Sequence, residues 1–230
     1  MNGTRRPGPV GVGAGERVRS RLLDALGLPE REALVARLRP RQYRRGQAVF
    51  NDGDAGDCLH LVRSGRLDVQ LTTFGGQTVV VRVVQPGEFF GELALVHPDN
   101  RRTGRVCALE STETLALYRN DFEDLRQRHP GVDRFLVTAL AERVMRTSEL
   151  VVESLLPPEM RLWRRLAVLA DAYGDDPIRM SQDDLARAAG TVRQTANRVL
   201  QHGVRDGVLA VERGSVRVLD RAALDALARH

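Results

Sequence analysis

The chain has 230 residues, enough for one large domain or two modest ones with cores of their own. Aromatic residues make up only 4%, so those cores must be built mainly from Leu, Val and Ala. Two cysteines are too few for a secreted disulfide framework, and no apolar run reaches the roughly 20 residues of a membrane span. The formal charge of +5 admits a polyanionic partner, and all 35 Lys/Arg positions hold Arg, which excludes phosphate-loop, Schiff-base and kinase-type lysine chemistry.

Residues 1 to about 15 read as a disordered Pro/Gly-rich arm. Its Gly8–Gly15 stretch superficially resembles a dinucleotide loop but follows no strand. With no apolar segment of signal-peptide type at the N-terminus, the expected location is the cytoplasm. A short helix is predicted over Arg17–Leu26, and a second one through Leu38 with Pro29 in its first turn. From Arg41 to about Arg119 the pattern changes to short strands. Asp52–Asp57, Ser64-Gly65, Phe74–Gly76 and Gln85–Gly87 punctuate the runs Cys58–Val62, Leu67–Thr72 and Thr78–Val84. Such spacing implies a small antiparallel roll or barrel.

The period then becomes helical. Asp121–Arg128 makes a short helix, and a long one runs from Gly131 to Leu156, stopping before Pro157-Pro158. Its stripe Leu136, Leu140, Val144, Thr147, Val151, Leu155 has coiled-coil spacing and predicts a homodimer seam. Glu142, Arg143, Arg146 and Glu149 flank it as a solvated rim; the alternative is a helix packed on its own domain. Beyond Pro158, a helix over Glu159–Tyr173 leads to the loop Gly174–Pro177. Ser181 is placed to cap Gln182–Ala189, and Gly190 makes a turn. Thr191 is then expected to cap a helix through His202, with Gln194 at the capping-box position. Two short helices joined by a Gly turn form a helix-turn-helix, and Val208–Val211 with Val216–Leu219 form a hairpin wing.

The most informative stretch is Pro86-Gly87-Glu88-Phe89-Phe90-Gly91-Glu92-Leu93-Ala94-Leu95, followed by Arg101-Arg102-Thr103. Gly91 lets the backbone approach a ligand, and the N–H groups opening the turn Glu92–Leu95 suit a phosphate. Arg102 adds a bidentate cation and Thr103 a hydroxyl, while the acceptor-only Glu92 suits a ribose hydroxyl. Together they describe a sugar phosphate.

Phe90–Leu95 with Arg102-Thr103 is similar to the phosphate-binding cassette of cyclic-nucleotide-binding domains. With the long helix and the winged helix-turn-helix, the chain beyond its arm resembles the Crp/Fnr family, and within it the cyclic-AMP receptors. The resemblance implies an α+β fold. An N-terminal antiparallel β-roll with flanking helices would span residues 16–130, a dimerisation helix residues 131–156, and a winged helix-turn-helix DNA-binding domain residues 157–230. It also implies that Gly91, Glu92, Leu93, Arg102 and Thr103 hold the ribose and cyclic phosphate, with Thr147 and Ser148 on the adenine amino group, one from each subunit. The ligand implied is cyclic AMP, as an allosteric effector without a metal; the sequence leaves cyclic GMP, or DNA binding without ligand, open. A hydroxyl at Thr147, where an apolar residue would pack better, agrees with this; a bond back to its own helix is the alternative.

On the second helix of the helix-turn-helix, Ala196, Val199 and Leu200 can face the core, leaving Arg193, Gln194, Asn197 and Arg198 toward double-stranded DNA. The resemblance makes Arg193, Gln194 and Arg198 base readers on a palindromic operator and Ser181 a phosphate contact. Gln194 departs from the glutamate of the cyclic-AMP receptors, so the operator is expected to be relaxed or altered at that base pair. RNA polymerase is an implied partner, although the loop Gly174–Pro177 is several residues shorter than the family's polymerase-contacting stretch. Other readings fit less well. Two distant cysteines cannot hold an iron–sulfur cluster, haem would need lone ligands such as His60, His97 or Cys107, and no nucleophile–base pairing or metal-ligand cluster marks an enzyme.

Overall fold

The computed structural model describes residues 20–76 and 78–229, so the predicted arm and the first residues of the Arg17–Leu26 helix lie outside it. Two short helices come first, α1 (Arg21–Asp24) and α2 (Leu28–Val35). Pro29 sits in the first turn of α2, where its missing N–H costs nothing. That helix ends before the predicted Leu38 because Arg39 already pairs with Ala116 in a sheet.

Eight strands follow: β1 (Arg39–Tyr43), β2 (Ala48–Phe50), β3 (Cys58–Ser64), β4 (Leu67–Thr72), β5 (Thr78–Val84), β6 (Phe89–Phe90), β7 (Arg105–Ala108) and β8 (Thr112–Tyr118). A single-turn helix, α3 (Leu93–Val96), lies between β6 and β7. The strands form two four-stranded antiparallel sheets, ordered β1-β8-β3-β6 and β2-β7-β4-β5. This is the predicted roll. Val62, Leu67, Val84, Phe90, Val106 and Ala108 fill the space between the sheets.

Strand β3 is buried on both faces, which places its alternate side chains in two different layers. Leu59 and Leu61 join Leu115 and Leu117 against Phe122 and Phe135 from the helices that follow. Cys58 and His60 point the other way, toward the site described below. Each fully buried Leu or Phe here contributes roughly 1.5–3 kcal/mol of hydrophobic free energy.

The helices are α4 (Arg119–Arg128) and α5 (Gly131–Ser154), the latter ending just ahead of Pro157-Pro158. Its first half buries Val132, Phe135, Leu136 and Ala139, whereas Val144, Val151 and Leu155 beyond are more than 60% exposed. The C-terminal domain comprises α6 (Pro158–Tyr173), α7 (Gln182–Ala188), α8 (Arg193–Arg205), the hairpin β9 (Leu209–Glu212) and β10 (Ser215–Val218), and α9 (Arg221–Leu227). The last helix is capped by Asp220, whose side chain accepts from the Ala223 N–H. Leu162, Trp163, Leu166, Ala196, Val199 and Leu200 lead its core.

The two halves touch. Val80 of β5 packs into the C-terminal core. Arg66 donates to the Ala172 carbonyl at 2.8 Å and lies 4.0 Å above the Tyr173 ring. Among the described residues no helix is long and apolar enough to cross a membrane.

Candidate nucleotide and DNA sites

The cassette is built around Gly91. Its φ of +83° favours glycine, and a Cβ there would lie 2.6 Å from an Arg102 guanidinium nitrogen. Glu92 caps α3 by position, but no side chain caps that helix start, leaving its leading N–H groups for another acceptor.

Arg102 is 4% exposed. It donates to the Gly91 carbonyl at 3.0 Å and packs its guanidinium 4.1 Å from the Phe50 ring centre. Its closest carboxylate, the exposed Asp57, is 3.8 Å away, and its Nε is buried without an acceptor. Two other arginines around the same cavity are better matched: Arg82 pairs with Glu88 at 3.1 Å and Arg143 with Glu92 at 3.2 Å. A buried, under-neutralised guanidinium beside unpaired N–H groups is an anion receptor.

Behind Arg102 runs a chain of contacts that sequence reading did not find. Its Nη2 meets the Cys58 sulfur at 3.5 Å, that sulfur lies 3.4 Å from His60 Nε2, and His60 Nδ1 is 3.0 Å from the Thr114 hydroxyl. His60 also stacks on Phe90 with ring centres 5.0 Å apart. Burial, with help from Arg102 and Arg41, pushes the His60 pKa down to about 3. Burial and the Asp57 charge push the Cys58 thiol up to about 12. Both are therefore neutral and serve as a wall that fixes the arginine.

Glu92, only 5% exposed, accepts from Arg143. The rim role expected for Arg143 is thus corrected: it turns inward to the cassette, because a buried carboxylate needs a cation. The clue in the sequence was its position four residues before Thr147, on the same helix face. Leu93, Thr103 and Thr147 border the same cavity, whose volume is about 580 Å³. Thr103 is exposed. Thr147 and Ser148 are exposed in the single chain, and their hydroxyls bond back to the Arg143 and Val144 carbonyls at 2.9 and 3.1 Å.

In the C-terminal domain Ser181 caps α7 in a reciprocal capping box: its hydroxyl accepts from the Asp184 N–H, and Asp184 accepts from the Ser181 N–H. The expected cap by Thr191 is not formed. Thr191 lies in the preceding turn, where its N–H donates to the Ala186 carbonyl at 2.9 Å; Val192 is the N-cap, and α8 starts one residue later without a side-chain cap. Gln194 consequently has no capping box. Its side chain is exposed, as are those of Arg193, Asn197 and Arg198, while Ala196, Val199 and Leu200 are buried. Arg193 pairs loosely with Asp183 at 3.4 Å, and Arg198 with Glu159.

Comparisons with known proteins bear on both halves. The cyclic nucleotide-binding domain model matches residues 40–129, and the Crp-like helix-turn-helix domain model matches residues 160–227. The chain is 34% identical over 213 residues to the cyclic AMP receptor protein of Thermus thermophilus, covering 91% of this chain and 97% of that one. It is 25% identical over 205 residues to the CRP-like cAMP-activated global transcriptional regulator of Mycobacterium tuberculosis, with 86% and 91% covered. Among solved structures, the catabolite activator protein of Thermus thermophilus aligns with a TM-score of 0.53 at 33% identity, over 91% of this chain and 99% of that one. The c-di-GMP responsive global regulator CLP of Xanthomonas campestris shares the fold with a TM-score of 0.71 at 23% identity, over 84% and 100%.

Proposed function

The chain belongs to the Crp/Fnr family of cyclic-nucleotide-binding transcription regulators, and on that premise we propose that it is a homodimeric DNA-binding regulator whose operator affinity is set by cyclic AMP. The observation that carries the ligand reading is Arg102: a buried guanidinium, short of a close carboxylate, aimed at Gly91 beside an uncapped helix start. A cyclic phosphate satisfies both, Thr103 adds a hydroxyl, and the remaining Glu92 oxygen accepts from the ribose. The names of the Thermus and Mycobacterium relatives favour cyclic AMP over cyclic GMP.

The dimer reading rests on Val144 and Val151 of α5 and Leu155 at its C-cap, apolar and exposed at seam spacing. In a dimer through this face, Thr147 and Ser148 exchange their bonds within the helix for bonds to the adenine amino group. Two α8 helices then read half-sites of a palindrome about 34 Å apart, with Arg193, Gln194, Asn197 and Arg198 toward the bases and Ser181 toward a phosphate. The ligand shifts an equilibrium between two arrangements by its differential affinity for them. The regulator acts in the cytoplasm. RNA polymerase is the further partner, and the short Gly174–Pro177 loop argues against activation by a contact made there.

The experiment is a titration of cyclic AMP, then cyclic GMP, into purified protein whose mass is set by light scattering, followed by fluorescence anisotropy on palindromic DNA. Micromolar-or-better cyclic AMP binding to a dimer, with tighter DNA binding when it is present, is expected. A monomer, or binding of neither nucleotide, overturns the corresponding part of the reading.

A further inference from the structure

The cavity that holds the cassette does not end at Thr147. It continues along α5 past Leu150 and Val151 to Glu153, and its far wall is α6. Six residues of helix separate Thr147 from Glu153, a distance of about 9 Å at the usual rise. Helix α6 presents Arg165, Val168, Leu169 and Ala172 to the cavity, one face at i, i+3, i+4, i+7 spacing, with Asp171 at its border paired to Arg221 at 2.9 Å. Arg165 is the cation on that wall.

Arg165 is poorly served by its own chain. Its side chain is 11% exposed, and the Glu153 carboxylate approaches its Nη2 only to 3.6 Å, longer than a hydrogen bond. Its Nε is buried with no acceptor. Burial also pulls its pKa below the ordinary guanidinium value. The fold of the C-terminal domain does not call for a cation here, because Leu162, Trp163 and Leu166 supply the core contacts of the same helix. A guanidinium left short of acceptors on the wall of a ligand cavity has donors to give to a ligand.

We infer that Arg165 is a ligand-contact residue, a member of the DNA-binding half whose guanidinium donates to the base edge of a purine nucleotide held at its phosphate by Arg102. The inference rests on the cyclic-nucleotide reading. With phosphate at Arg102 and ribose at Glu92, the base extends along α5 toward Glu153. Purine edges carry ring nitrogens that accept hydrogen bonds, and the planar guanidinium fork suits them. A nucleotide so bound joins the roll to α6 within one subunit, so its affinity depends directly on where the DNA-binding domain sits.

The test uses the full-length protein and four probes: cyclic AMP and its 1-deaza, 3-deaza and 7-deaza analogues, each lacking one ring acceptor. Isothermal titration is expected to show one analogue binding the unaltered protein about tenfold or more weakly than cyclic AMP. Arg165→Gln should bind cyclic AMP and that analogue equally. A merely structural Arg165 predicts instead the same analogue profile in both proteins, displaced as a whole. Should Arg165→Gln fail to fold, Arg165→Lys and the analogue series on the unaltered protein still decide the matter. Cyclic AMP binding with a flat analogue series removes this inference and leaves the proposed function standing; no cyclic AMP binding removes both.

Discussion

Arg143 of α5 donates to the Glu92 carboxylate at 3.2 Å, so the central helix and the cassette are joined by an ion pair between residues 51 apart in sequence. Glu92 is buried at 5% exposure, and one of its oxygens is engaged before any ligand arrives. A carboxylate accepts at both oxygens, so the second remains for a hydroxyl. Replacing Glu92 by Gln keeps the shape, removes the ion pair and exchanges one acceptor for a donor. Cyclic AMP affinity is expected to fall about tenfold or more, read by isothermal titration. Undiminished affinity would take Glu92 out of the ligand site.

Arg102→Leu removes the anion receptor while leaving an apolar side chain against Phe50. The expected result is loss of measurable cyclic nucleotide binding and of ligand-dependent DNA affinity, with the circular dichroism spectrum unchanged. A folded variant that still binds cyclic AMP normally would show that the cassette arginine does not hold the phosphate.

Arg193→Ala should weaken operator binding by about 1–3 kcal/mol and relax preference at one base position. Its pair with Asp183 is exposed and loose, so the loss should be in DNA affinity and not in stability. Gln194→Glu should shift preference at another position toward cytosine, since a carboxylate accepts from its amino group. Selection from a randomised palindrome reads both; identical recovered sites would place these residues off the bases.

Ser181→Ala breaks the reciprocal capping box of α7, the capped helix of the helix-turn-helix pair. Thermal unfolding of the C-terminal domain should report a loss of about 1 kcal/mol, with cyclic AMP affinity unaltered. The same variant should lose DNA affinity by a similar factor for every sequence, as expected of a phosphate contact.

His60 makes stability sensitive to acid. Its folded pKa of about 3 lies below the ordinary value of 6.5, so between the two the unfolded chain binds the proton and the native one does not. Stability from this residue is present above about pH 6.5 and declines as pH falls toward 3, by up to about 1.4 kcal/mol per pH unit. Urea midpoints measured from pH 7.5 to 5 should fall, and His60→Gln should flatten the fall. Parallel profiles for the two proteins would mean that other groups set the acid response.

Features under local control were legible in the order of residues. Gly91 before a helical turn, with Arg102-Thr103 close behind, announced an anion site because a positive φ and a helix start are properties of neighbouring residues. Ser181 announced its cap, and Ala196, Val199 and Leu200 announced the buried face of α8, for the same reason: capping and helical period act within one or two turns. The remaining features arise where distant segments meet. Thr191 had the right chemistry for a cap, but the turn after Gly190 runs through it and α8 begins one residue further on, with Val192 as its N-cap. Arg143 had the character of a solvated rim residue until Glu92 was buried beside it. Cys58 and His60 were unremarkable on their strand until the pairing of β3 set them behind Arg102. Arg165 met the cavity because α6 forms its far wall opposite the end of α5. Such meetings depend on which distant surfaces exclude water together, and that selection is made by packing of the whole chain.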